Sequence, residues 1–196
     1  MSTSKAHDAT LLPQARMVLA TLDLLRASGL SGAGLNAVIA ASGAPKGSLY
    51  HYFPEGKKQL VAAALDQYAK RVSEGLRTAM AAPIPLARRV RMLFDRTADN
   101  LETERFEKSC AVASVTLDLE GDDDALRPLC EAIFSAWHRA IADGLGDLPA
   151  KRRAAVATLI LGSLEGAMVL ARAHASPQPL RDTGHALSAL LDTHET

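Results

Sequence analysis

Cysteines, aromatic rings and β-branched apolar residues are scarce in this 196-residue chain, and each shortage removes a class of protein. The two cysteines, Cys110 and Cys130, lie twenty residues apart. They make no disulfide framework of the kind that staples small secreted domains, and there is no CxxC or Cys/His spacing to hold zinc. Two small buried thiols are the plain reading, and a redox-sensing pair is the alternative. The six histidines are scattered: His7 and His194 lie near the termini, and His138 and His174 stand singly on helices. Neither HExxH nor G-x-S-x-G occurs, so no metal, cofactor or catalytic constellation is expected, and an enzyme is not the expected class. No run of eighteen apolar residues is free of polar interruption, so no membrane span is expected. The opening "MSTSKAHDAT" lacks the apolar centre of a signal peptide; it reads as a flexible tail, on a protein expected in the cytoplasm.

Strand-forming residues are few while alanine and leucine dominate, which predicts an all-α chain. Apolar period and Gly/Pro punctuation place helices at about 13–27, 35–41, 46–53, 57–80, 86–103, 106–118, 124–145, 150–174 and 180–192. The first three are short, close together and joined by turns containing glycine, the spacing of a helix-turn-helix unit. After "APIP" at 82–85 the helices lengthen. This divides the chain into an expected head, 1–56, and a helical bundle, 57–196. Net charge is zero, but residues 1–60 carry six Lys/Arg against three Asp/Glu, leaving 16 against 19 for the remainder. The modest positive surplus lies in the head.

The head also contains "GAPKGSLYHYF" at 43–53, where three members of a sparse aromatic set crowd together near a lysine. On a helix, Leu49 and Phe53 share one face and can anchor the segment. Lys46, Gly47, Ser48, Tyr50 and His51 then lie on other faces. Duplex DNA suits such an arrangement: lysine can reach guanine O6/N7, a glycine lets the backbone approach a base, and tyrosine and histidine can donate to phosphates. Lys57 and Lys58 open the next helix on the same track. An amphipathic segment with Tyr50 and Tyr52 packed in a core is the competing reading, as is a helical protein that binds DNA without sequence preference.

"SGAPKGSLYHYF" followed by "KKQLVAAAL" resembles the signature of TetR-family transcriptional regulators. The downstream strings "SCAVASVTLDLEGDD", "LRPLCEAIFSAWHRAIADGL" and "LILGSLEGAMVLARAHASPQPL" resemble the regulatory domain of the LmrA/YxaF-like branch. The resemblance implies a homodimer with paired DNA-binding heads on a palindromic operator, and C-terminal domains that dimerise and bind a small-molecule effector. By position, Lys46 and Gly47 match base-reading places, Tyr50, His51 and Tyr52 phosphate-contacting places, and Lys57 the cation that opens the following helix. The familiar F-x-x-K spacing is lengthened here to F-x-x-x-K, which leaves open whether Lys57 or Lys58 makes the contact. The threonine often found at the start of the preceding helix is absent, and Asn36 is a weak candidate in its place.

The resemblance further implies a repressor released by a planar, apolar or aromatic effector; a regulator that senses electrophiles through Cys110 is the alternative. A pocket needs apolar walls with a few polar handles. Tyr68, Leu93, Phe94, Asn100, Phe106, Cys110, Leu117, Trp137, Leu164, Glu165 and Met168 are the candidates, although each taken singly reads more readily as core. The stretch "LILGSLEGAMVLA" at 159–171 is apolar almost all round and so needs cover on more than one side. Leu159, Gly162, Gly166 and Leu170, with Leu187, Leu190 and Leu191 of the last helix, are therefore the expected dimer interface.

Overall fold

A computed structural model describes residues 11–120, 125–146 and 148–192. The tail expected at 1–10 and most of the acidic break at 120–124 lie outside them. The described residues form nine α-helices and no strand: α1 (Pro13–Gly32), α2 (Leu35–Ser42), α3 (Leu49–Tyr52, preceded by a 3₁₀ turn at Lys46–Ser48), α4 (Lys57–Met80), α5 (Leu86–Thr103), α6 (Ala111–Leu117), α7 (Arg127–Asp143), α8 (Ala150–His174) and α9 (Gln178–Asp192). The chain is all-α, and its contacts divide it into two compact units.

The first unit comprises Met1–Tyr68 and Ala111–Cys130. Helix α1 begins on Pro13, whose missing N–H is not needed in a first turn. It buries Met17, Val18, Leu22 and Leu25 along one stripe. At Gly29 the backbone leaves helical geometry (φ 68°, ψ −167°), and one further turn carries the chain to Gly32. Helix α2 ends at Gly43, in the left-handed region at φ 59°, whose N–H donates to the Ile39 carbonyl at 3.1 Å. Glycine takes this capping conformation without the penalty a Cβ would bring. Leu49 and Phe53 are almost fully buried, and Leu60, Val61, Ala64 and Leu65 of α4 add to the same core. Helix α6 packs on α1 and buries Ala111, Val112 and Val115.

The second unit comprises Ala69–Cys110 and Glu131–Thr196. Helices α5, α8 and α9 pack on one another. Val90, Leu93, Phe94, Ala98 and Leu101 form the buried stripe of α5. Helix α9 approaches so closely that a Cβ on Gly184 would stand 2.6 Å from the Phe94 Cβ. Arg89 ties three chain segments together, donating to the carbonyls of Ile84 (2.7 Å), Met80 (3.1 Å) and Gly144 (3.3 Å).

Three features differ from the sequence expectation. The helix expected at 106–118 begins only at Ala111, because Arg105 and Phe106 adopt positive φ (54° and 59°) and the Phe106 N–H donates to the Leu101 carbonyl. That arrangement closes α5, and apolar periodicity does not register it. Helix α1 runs past the expected stop as a kinked turn. Helix α8 is long and apolar enough, by length and composition, to cross a membrane, although no uninterrupted apolar run marks it. A third of its most apolar stretch is buried within the chain.

Candidate nucleic-acid interface and regulatory core

The turn and helix at 46–52 sort their side chains by chemistry. Leu49 (1% exposed) anchors the segment, while Lys46, Gly47, Tyr50 and His51 are exposed, Tyr50 to 64%. No protein atom lies within 4 Å of the place a Cβ would take on Gly47, so packing within the chain does not demand a glycine there. Tyr52 is half-buried, its ring edge-on to His51 at 4.9 Å. The Ser48 hydroxyl donates to the Pro45 carbonyl at 2.6 Å and so holds its own turn. The reading that packs both Tyr50 and Tyr52 in a core does not match this arrangement, because Tyr50 projects outward.

Asn36 is exposed in the first turn of α2. The two lysines that open α4 differ in kind. The Lys57 ammonium is half-buried and donates to the Leu30 carbonyl at 2.6 Å, whereas Lys58 is exposed. Arg16, which the sequence reading passed over, lies against the turn between α2 and the 46–52 segment. It donates from Nη1 to the Gly43 carbonyl at 3.4 Å, and its buried Nε has no hydrogen-bond partner. Nothing in the period of α1 distinguishes it, since its role depends on a residue 27 positions away.

The candidate effector-binding residues fall in both units. Tyr68 belongs to the first, buried, with the Arg26 guanidinium 5.6 Å from its ring centre. Leu117 belongs there too, but it is 82% exposed at the end of α6 and so cannot serve as an apolar wall within the chain. In the second unit Leu93, Phe94, Cys110, Trp137, Leu164 and Met168 are buried and Phe106 is half-buried. The Trp137 indole donates to the Ala69 carbonyl at 3.4 Å and meets Phe134 edge-on. Asn100 is exposed near the end of α5, where its carbonyl accepts the Glu104 N–H, so it lies outside this buried set. Burial pushes the Glu165 carboxyl above the ordinary glutamate range, and a hydrogen bond from Cys110 partly opposes the shift. About two turns further along α8, Arg172 donates to the Ser109 hydroxyl at 3.2 Å.

Helix α8 shows a second face. Leu159 (51% exposed), Gly162, Gly166, Val169 (62%) and Leu170 (52%) recur every three or four residues, and no protein atom lies within 4 Å of a Cβ placed on either glycine. On α9, Leu190 is 59% exposed. Leu187 was expected in this stripe but is buried at 6% within the chain, and Leu191 is half-buried. The sequence reading missed Val169, which the three-to-four-residue recurrence could have included.

Two helices joined across a glycine cap, the second presenting a lysine and hydrogen-bonding rings outward, constitute a helix-turn-helix, the architecture of a DNA-binding regulator. Comparison with known proteins makes the assignment particular. Residues 18–64 match the bacterial regulatory proteins of the tetR family, and residues 87–186 match the C-terminal domain of LmrA/YxaF-like transcriptional regulators. An uncharacterized HTH-type transcriptional regulator of Mycobacterium tuberculosis is 33% identical over 178 residues, spanning 86% of this chain and 88% of that one. The crystal structure of a regulatory TetR protein from Rhodobacter sphaeroides superposes with a TM-score of 0.82 at 23% identity, covering 91% of this chain and 98% of that one. A cysteine mutant of the TetR family regulator CifR, solved in complex with 26 bp of double-strand operator DNA, has the same fold (TM-score 0.78, 22% identity, coverage 90% and 95%). The chain belongs to the TetR family, in its LmrA/YxaF-like branch, and is a DNA-binding transcriptional regulator. This is a family of regulators and not of enzymes.

Proposed function

We propose that the protein is a cytoplasmic, effector-responsive repressor that binds a palindromic operator as a homodimer. Residues 1–56 form the reading head, and 57–196 bind the effector and dimerise. The observation that carries the operator reading is the outward set of Lys46, Gly47, Tyr50 and His51 over a buried Leu49. Lys46 and Gly47 meet base edges, and Tyr50, His51 and Tyr52 fix the register on phosphates. The exposed Lys58 is the phosphate-contacting cation, because the Lys57 ammonium is already engaged by Leu30.

The uncovered apolar stripe of α8, continued by Leu190, supports a second copy of the chain as its cover. Small residues at 162 and 166 allow close approach of the partner helix. A dimer must set its two recognition segments about 34–36 Å apart to meet successive major grooves. An effector that favours a conformer with another spacing therefore releases the operator. A full switch from 1:99 to 99:1 needs about 5.5 kcal/mol of differential binding.

Trp137, Leu164, Met168 and the Glu165 carboxyl, whose pKa burial raises, support an apolar or aromatic effector that offers a hydrogen-bond partner. Cys110 and Cys130 are 3% and 2% exposed, which favours effector binding over thiol oxidation as the trigger. The test is to incubate the protein with fragmented genomic DNA at about 0.15 M salt and sequence what is retained. Enrichment of a short palindrome is the expected result. Uniform retention, scaling only with salt, would overturn the operator reading.

A further inference from the structure

We infer that Asp118, which lies in the regulatory half of the sequence, is a positioning residue for the DNA-reading head. The inference rests on the operator reading above. Asp118 follows α6, the helix that packs on α1 within the first compact unit. Its Oδ2 accepts the Leu30 N–H at 2.6 Å and the Ser31 N–H at 3.4 Å. These two donors follow the break at Gly29, where the positive φ turns successive amides toward one acceptor. A carboxylate that receives more than one backbone N–H makes charge-assisted bonds, stronger than neutral ones.

The fit is close on the other side as well. A Cβ on Gly29 would overlap the Asp118 carboxylate, so the kink and the acid occupy one another's space. The carbonyl of the same Leu30 accepts from the Lys57 ammonium at 2.6 Å. Leu30 is therefore held at both its N–H and its C=O, by groups 88 and 27 residues away. Five residues later the chain enters α2, which leads to the Gly43 cap and the reading segment. The direction of α2 thus depends on a backbone bend that local sequence alone does not hold. Covalently, α6 is preceded by Cys110 of the second unit, and α7 re-enters that unit at Glu131. The contact of Asp118 with Leu30 and Ser31 thus lies within the first compact unit, between segments far apart in sequence.

The charge on Asp118 makes the inference discriminating. If the carboxylate acted only through its charge, removing it would relieve repulsion with DNA and tighten binding. If it positions the head, removing it lowers the population able to bind. A competent fraction cut to a tenth raises the apparent Kd about tenfold.

Operator affinity at fixed salt is to be measured for wild type, Asp118→Ala and Asp118→Asn, with amide hydrogen exchange at Leu30 and Ser31 read on the same full-length proteins. Asp118→Ala is expected to weaken operator binding about tenfold and to speed exchange at both amides, with the melting of α5, α8 and α9 unchanged. Asp118→Asn keeps an oxygen acceptor and restores binding to within about threefold. Lys57 holds the other end of the same residue, so the loss caused by Lys57→Ala combines with that of Asp118→Ala less than additively. Wild-type affinity or tighter binding in Asp118→Ala, or unchanged exchange, overturns the inference. Failure of wild type itself to prefer any fragment overturns the operator reading instead, and the exchange measurement then still decides whether Asp118 holds the bend.

Discussion

Substituting alanine for glycine at three helical positions separates packing inside the protomer from packing between copies. At Gly184 a Cβ would stand 2.6 Å from the Phe94 Cβ and 3.2 Å from its Cγ. Phe94 is fully buried, and its Cβ is fixed to the α5 backbone, so one helix must move. Overpacking of this kind costs about 1–3 kcal/mol, against about 1 kcal/mol gained from replacing glycine in a helix. Gly184→Ala therefore destabilises by up to about 2 kcal/mol, a fall in Tm of roughly 2–4 °C for each kcal/mol in a chain of this size. At Gly162 and Gly166 a Cβ meets no atom of the protomer. There the helix gain stands alone in an isolated protomer, and each substitution raises its stability by up to about 1 kcal/mol. In the proposed dimer the same methyl groups meet the partner, and a twofold axis presents each change twice. An overpacking cost of about 1–3 kcal/mol then raises the dimer dissociation constant roughly five- to 150-fold. Sedimentation equilibrium over a concentration series, paired with thermal melts, reads both effects. A dimer constant unchanged by Gly162→Ala and Gly166→Ala, with Gly184→Ala lowering Tm, would refute the assignment of the α8 stripe as the interface.

Lys46→Ala is expected to weaken operator binding and relax base preference, whereas Tyr50→Phe weakens binding to all sequences alike; competition with mutated operators distinguishes them. Lys58→Ala should flatten the salt dependence of binding by about 0.9 in the log–log slope, the loss of one phosphate contact. Glu165 titrates above the ordinary carboxylate range because of burial, so the folded chain holds its proton to higher pH than the unfolded chain. Folded stability then falls as pH rises through the interval between the two values, and below both the cost vanishes. Glu165→Gln should remove that fall, so the difference in Tm between variant and wild type grows from pH 4 to pH 7; a constant difference would argue against a buried, proton-holding carboxyl.

The all-α class and most helix limits were legible because each rests on local signals: apolar period, a proline in a first turn, glycine after a last one. The exact starts of α4, α5 and α8, at Lys57, Leu86 and Ala150, are of this kind. The outward chemistry of Lys46, Tyr50 and His51 was legible too, since Leu49 and Phe53 four apart determine which face turns inward. What sequence could not provide were relations between distant residues. Leu117 and Asn100 share the composition of pocket residues, and only the tertiary arrangement places them in solvent. Leu187 and Leu190 are alike in sequence, yet one turns into the protomer and the other away from it. Lys57 and Lys58 are adjacent cations of equal promise until the Leu30 carbonyl, 27 residues earlier, takes one of them. Asp118 reads as one more acid before an acidic break, and its meaning depends on a bend at Gly29 that brings two backbone amides to it. Periodicity along a chain reports how each residue relates to its own helix axis. Which partner a side chain meets is decided by long-range packing, and there the tertiary structure alone distinguishes an engaged lysine from an exposed one.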